Sequence, residues 1–284
     1  MDALTRIFSR RRPVIGMVHL PASPGQPRHQ RDRPLRLVVE AVKRDLDALQ
    51  AGGIDGVMYC NEADLPYATR VGPEVPSYMA AIIAESRHEL SVPFGVNVLW
   101  DPFASLAVAA ASGAAWVREV LTGVFETDMG ILAPDPAAIF TYRERLGIGQ
   151  CALFANIAPE FARSVSDRDV ASRARGAAYF GCDALLISGP MAGIAFDLAE
   201  LRAARQAVRD VPVLANTGVT ESNVAETLRW ADGAIVGSSL KEDGNVWNPV
   251  DPLRVRRLMA AAADARSEAP MAAPQIGGST VEAS

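Results

Sequence analysis

VPVLANTGVTESNVAETLRWADGAIVGSSLK, residues Val211–Lys241, carries two consecutive strand–helix units. An apolar strand, Val211–Ala215, enters the polar turn Asn216-Thr217-Gly218. A helical pattern follows over Thr220–Trp230, then a second apolar strand at Ala234–Val236, then Gly237-Ser238-Ser239. A glycine just past each of two adjacent strands is how the last two units of a (β/α)8 barrel hold a phosphate. Glycine lets backbone N–H groups come close to an anion, and a helix start there adds unpaired donors and partial positive charge. The stretch therefore predicts a phosphate cradle of Gly218, Gly237 and Ser238, with Thr217 as a further donor. The plainer alternative is that both glycines only permit tight turns.

Outward from that stretch the same alternation continues. Strands are predicted at Val14–His19, Gly56–Cys60, Phe94–Leu99, Trp116–Leu121, Cys151–Ala155, Ala184–Ile187, Val213–Ala215 and Ala234–Val236. Helical patterns between and after them cover Leu35–Gln50, Pro76–His88, Phe103–Ala111, Pro136–Arg145, Arg168–Tyr179, Asp197–Val208, Thr220–Trp230 and Pro252–Asp264. Regular alternation implies a parallel sheet, and eight units imply closure. AGGIDGV, ASGAAWV, YFGCDAL and WADGAIV repeat a small-residue step from helix end to strand, where glycine serves as a left-handed cap. A doubly wound sheet is the alternative, but G-x-G-x-x-G follows no strand. The expected architecture is a single-domain (β/α)8 TIM barrel over residues 13–265. A flexible basic N-terminus is expected over residues 1–12 and a disordered tail over 266–284, where periodicity is lost.

Composition supports that architecture and excludes several partners. The chain has 284 residues, 49% of them hydrophobic and 21% charged, with net charge −5. That is a foldable globular balance without the basic excess of a nucleic-acid-binding surface. Cys60, Cys151 and Cys182 fit no zinc or redox spacing and read as buried thiols, consistent with a cytoplasmic protein. No apolar run is long enough to span a bilayer. The N-terminal arginines leave peripheral membrane contact open, although a frayed solvated terminus is the simpler expectation. Barrels of this kind often pair, so a homo-oligomer is expected.

Catalytic groups of such barrels sit at strand C-termini. His19 ends the first strand, just before the proline-rich loop Pro21–Pro34, which is long enough to serve as a lid. Arg118 and Glu119 stand together in WVREVL, so one faces the barrel interior and the other the helix layer. His19, Glu119 and Arg118 are the catalytic candidates. Asn97, Asn156, Asn216, Thr217, Gly218, Gly237 and Ser238 are the substrate-binding candidates. Glu62, Asp64, Asp101 and Asp128 offer the oxygen ligands that Mg2+ prefers, but no spacing rule groups them. Loop solvation and capping explain them equally well, and Asp101 before Pro102 reads as an N-cap.

VIGMVHLPASPG (14–25), GVNVLWD (95–101), VREVLTGVFETDMGIL (117–132), ALLISG (184–189), VPVLANTGVTESNV (211–224) and DGAIVGSSLK (232–241) together resemble the BtpA/SgcQ family over residues 13–262. The resemblance implies a barrel of the ribulose-phosphate-binding type. It also implies connections to carbohydrate use, to photosystem I biogenesis with peripheral thylakoid association, and to nucleotide triphosphate hydrolysis. The chain departs from the family pattern at Arg118-Glu119-Val120 and at Trp100-Asp101. Three functions follow as expectations. The first is isomerase- or aldolase-type proton transfer on a phosphorylated metabolite such as a sugar phosphate. The second is a non-catalytic assembly factor. The third is metal-dependent phosphohydrolysis, although no G-x-x-x-x-G-K-[ST] loop is present. No strand ends in a lysine, which argues against a Schiff base.

Overall fold

A computed structural model gives the fold and describes residues 1–191 and 193–267. Eight parallel strands close into a barrel. They are β1 (Val14–His19), β2 (Gly56–Cys60), β3 (Phe94–Asn97), β4 (Trp116–Glu119), β7 (Ala152–Ala158), β9 (Ala184–Ser188), β10 (Val213–Asn216) and β11 (Gly233–Val236). β1 closes the ring by pairing β2 on one side and β11 on the other, with Ile15 opposite both Gly56 and Ile235. The outer helices are α2 (Leu35–Ala51), α3 (Glu74–Ser86), α4 (Pro102–Ser112), α5 (Pro136–Arg145), α6 (Val170–Tyr179), α7 (Leu198–Ala207), α8 (Val224–Trp230) and α9 (Pro252–Ser267). The expected TIM barrel is thus the observed fold. An additional antiparallel sheet of β5 (Phe125–Thr127), β6 (Gly130–Leu132) and β8 (Ala162–Ser164) rises from the loops after β4 and β7.

Period-two alternation divides the strand residues between two cores. One core lies between strands and helices and includes Val18, Tyr59, Val117, Leu153 and Leu185. The other fills the barrel with Ile15, Met17, Met58, Trp116, Phe154, Leu186, Leu214 and Ile235. Trp116 stacks on Phe154 with ring centroids 5.7 Å apart. It also fills the space beside Gly95, where an added Cβ would lie 2.2 Å from the indole. Glycine at 95 is what admits tryptophan at 116.

The repeated helix-to-strand steps have a second purpose besides capping. Gly53, Gly113 and Gly181 take left-handed conformations at helix ends. Three steps also carry an aspartate that accepts a strand amide. Asp55 takes the N–H of Val14 (2.8 Å), Asp183 that of Leu153 (2.8 Å) and Asp232 that of Val213 (2.9 Å). These carboxylates satisfy donors at the N-terminal rim of the barrel.

Three expectations need correction. The N-terminus is not simply a flexible arm: α1 (Ala3–Ile7) is capped by Asp2 and buries Ala3 and Leu4. Phe8 closes the barrel floor against Trp116, with ring centroids 5.3 Å apart. Leu4 and Phe8 share a helix face, which makes the segment a plug. The helix expected over Thr220–Trp230 begins only at Val224, because Asn223 Oδ1 accepts the Thr220 N–H at 2.8 Å and holds a turn instead. Of the expected disordered tail, Arg266 and Ser267 finish α9, where Arg266 pairs with Asp55. Residues 268–284 lie outside the described residues.

Candidate active site at the C-terminal mouth of the barrel

Arg118, from β4, lies inside the barrel at 7% exposure. Its Nη1 donates to Asn216 Oδ1 at the end of β10 (2.9 Å). Asn216 Nδ2 donates in turn to Glu160 Oε1 (2.9 Å) and Ser188 Oγ (2.8 Å). Thr217 Oγ1 donates to the same Glu160 oxygen at 2.5 Å. Asn156 Nδ2 donates to Ser188 Oγ at 2.8 Å. Four strand ends are thereby tied into one polar layer. A buried charge survives only when paired and hydrogen-bonded. Burial alone would lower the Arg118 pKa, but Glu160, Cys60, Glu119 and Glu62 together hold it above the ordinary arginine value.

Above this layer a cavity is lined by His19, Glu62, Tyr67, Trp100, Arg118 and Glu160, and by Thr217, Gly218, Gly237 and Ser238. His19 Nε2 is 4.0 Å from Glu62 Oε2. Burial, aided by Lys241 and Arg118, pushes the His19 pKa well below its usual value, so the imidazole is neutral. Burial raises the Glu62 carboxyl despite Arg118 nearby. Tyr67 OH donates to Glu62 Oε1 at 3.3 Å. His19 Nδ1 and Trp100 Nε1 are buried without a hydrogen-bond partner among the described residues. Buried polar atoms are rarely left so, and these two belong to side chains that line the cavity.

The segments expected to form the cradle are loop backbone. Thr217 (φ 66°) and Gly218 (φ 69°) are both left-handed. An added Cβ on Gly218 would lie 2.3 Å from Ala195 Cα, so the β9–α7 loop packs directly on it. Gly193 of that loop approaches Ser238 Oγ, which an added Cβ would meet at 3.5 Å. Gly237 faces His19, whose Cε1 would lie 3.0 Å from a Cβ there. Among the described residues no acceptor meets the backbone N–H of Gly218 or Val219. Because α8 begins late, these loop amides stand where a helix start was expected.

The remaining sequence candidates are placed elsewhere. Glu119 faces the helix layer, where its Oε1 accepts from Ser105 Oγ (2.6 Å) and Asn97 Nδ2 (2.8 Å). Burial, against those bonds, pushes the Glu119 carboxyl up to about 8. Asn97 also donates to the Arg118 carbonyl at 2.7 Å. Glu119, Asn97 and Asn156 do not line the cavity. The four carboxylates considered for Mg2+ are not gathered. Asp64 holds the Ser23 amide and hydroxyl, and Asp101 caps α4 and accepts the Val71 N–H. Among the described residues no group of three or more His, Cys, Asp or Glu side chains could hold a metal. Glu160, also at the cavity, lies just beyond the Asn156 strand end, where strand-end reading places candidates. Tyr67 was not among the sequence candidates, and its one signal was position, in the loop leaving the C-terminal end of β2.

Residues 10–264 match the model of the BtpA family. The chain belongs to the BtpA family. It is 40% identical to the putative sgc region protein SgcQ of Escherichia coli, covering 91% of this chain and 97% of that one. It is 33% identical to the photosystem I biogenesis protein BtpA of Synechocystis, covering 94% and 93%. In fold it is similar to phosphoribosyl anthranilate isomerase from Thermus thermophilus, with TM-score 0.54, 14% identity and coverage of 89% and 98%. Tryptophan synthase of Mycobacterium tuberculosis gives TM-score 0.56, 19% identity and coverage of 92% and 100%. At these identities the structural likeness concerns the barrel alone. No helix among the described residues is long and apolar enough to cross a membrane.

Proposed function

We propose that this BtpA-family barrel binds a phosphorylated small metabolite, of the sugar-phosphate class, and moves a proton beside its carbonyl group. One observation carries the reading: the Gly218/Gly237 cradle opens into the same cavity as His19, Glu62 and Arg118. Phosphate in the cradle would meet loop amides and Ser238. The carbonyl oxygen would face Arg118, whose fixed charge stabilises the negative charge that develops on enolisation. Neutral His19 is in the form that accepts a proton, and Glu62, with its raised pKa, can hold or return one. Asn216 and Glu160 orient Arg118 and Thr217. Isomerisation and aldol-type cleavage both fit this set.

The assembly-factor alternative rests on the name of one relative, whereas the unpaired polar atoms around the cavity support ligand binding. The proposal is tested by thermal-shift titration with sugar phosphates and inorganic phosphate, comparing wild type with Ser238→Asp. A ligand at a hundredfold its dissociation constant stabilises by about 2.7 kcal/mol. Stabilisation lost in the variant supports the cradle, and identical behaviour of the two proteins overturns it.

A further inference from the structure

A second and larger cavity, about 350 Å³, adjoins the first, with His19 and Val246 lining both. Its walls come from opposite ends of the chain. The Pro21–Pro34 loop supplies Arg28 and Arg33, α2 supplies Arg44 and Asp45, and the segment after β11 supplies Lys241 and Trp247. Lys43 and Lys241 are the two lysines of the whole sequence. Lys241 is 2% exposed, and its Nζ donates to Asp45 at 2.6 Å. Asp45 is further committed to the Val250 N–H at 2.8 Å. The Arg28 guanidinium lies over the Trp247 ring, 4.9 Å from its centroid. Among the described residues, none of Arg28, Arg33 and Arg44 is within ion-pair distance of a carboxylate.

Four cations therefore face one space whose single carboxylate is already neutralised by one of them. Such a cavity concentrates anions, and planar guanidinium groups present paired donors that suit phosphate or carboxylate oxygens. We infer that this basic cavity holds a second anionic group of the same ligand whose phosphate sits at Gly218 and Gly237. The substrate is then a metabolite with an anion at each end, and His19, the wall between the cavities, faces the carbons in between. This rests on the proposed function and narrows its substrate class. Two anchors on one molecule act as linked sites, so the second raises affinity without new chemistry at the first.

Each cavity has its own tryptophan: Trp100 lines the first and Trp247 the second. The experiment follows their indole N–H resonances during titration with inorganic phosphate, ribulose 5-phosphate and ribulose 1,5-bisphosphate. Inorganic phosphate should shift both signals with independent constants. Arg33→Ala/Arg44→Ala should abolish the Trp247 response and leave that of Trp100, and Ser238→Asp should do the reverse. The bisphosphate should move both signals with one constant, at least tenfold tighter than the monophosphate, and the double variant should lose that advantage. A silent Trp247 beside a responsive Trp100 overturns the second subsite while sparing the cradle. A responsive Trp247 beside a silent Trp100 overturns both the cradle and the shared ligand. An undiminished tenfold advantage in the double variant also overturns the inference.

Discussion

Replacing Glu119 by glutamine should remove a pH-dependent weakness from the barrel wall. Glu119 is 3% exposed, and one oxygen receives both Ser105 Oγ and Asn97 Nδ2. Glutamine keeps that oxygen as a carbonyl of the same size and never ionises. In the folded protein the carboxyl titrates at about 8, against 4.5 for an ordinary glutamate. Between those values the folded chain holds a proton that the unfolded chain has released. Stability therefore falls as pH rises, by up to ~1.4 kcal/mol per pH unit. Below 4.5 both states are protonated and the group contributes nothing to the slope. From pH 5 to pH 8 the wild type should lose ~4 kcal/mol at most from this one group. The assay is urea denaturation of both proteins at pH 5 and pH 8 at fixed ionic strength. Glu119→Gln should match wild type within about 1 kcal/mol at pH 5 and exceed it by several at pH 8. A stability difference that stays constant across the two pH values would refute the burial argument.

Other substitutions test other parts of the fold. Gly218→Ala should cost about 1–3 kcal/mol for its left-handed backbone. It should also displace the loop at Ala195 and weaken phosphate binding at least tenfold by calorimetry, and an unchanged affinity would remove the backbone from the cradle. Phe8→Ala should cost about 3 kcal/mol in denaturant, since Phe8 seals the floor beneath Trp116, whereas a frayed N-terminus would leave stability unchanged. Arg118→Lys should weaken substrate binding at least tenfold, because the shorter, compact ammonium lacks the guanidinium's further planar donors, which can face a ligand while Nη1 holds Asn216 Oδ1; wild-type affinity in this variant would exclude Arg118 from the site. With His19 held neutral, the acid limb of any activity or binding profile should fall well below pH 6.5, and a limb at 6.5 would show a solvated histidine.

The fold was legible because its signals are local and repeated. Eight apolar runs, each separated by an amphipathic one, could close in few ways, and the small-residue steps marked each return. The opposite facing of Arg118 and Glu119 followed from strand alternation alone. Which of them faces inward did not, because that depends on the phase of β4, fixed by Trp116 filling the barrel beside Gly95 so that Arg118, two residues on, points the same way. That Gly218 and Gly237 line one cavity was legible because β10 and β11 are neighbours in sequence and in space. Tyr67 was not, since only the path of the loop after β2 brings it to the mouth. The basic cavity was equally hidden, because its arginines and Trp247 are more than two hundred residues apart in the chain. The plug was missed because α1 is five residues long and shows too little periodicity to read.

The two ends of the described chain are fastened to each other. Arg12 bonds the Ala265 carbonyl, and Arg266 bonds Asp55 and the Arg12 carbonyl, across the seam where β1 meets β11. During synthesis β1 emerges first but finds β11 only after more than two hundred residues have followed. Until then the growing sheet has two open edges, at β1 and at its latest strand, of the kind that invites pairing with other chains. Closure must therefore wait for β11, and a chain released short of that strand would remain an unsealed, association-prone sheet.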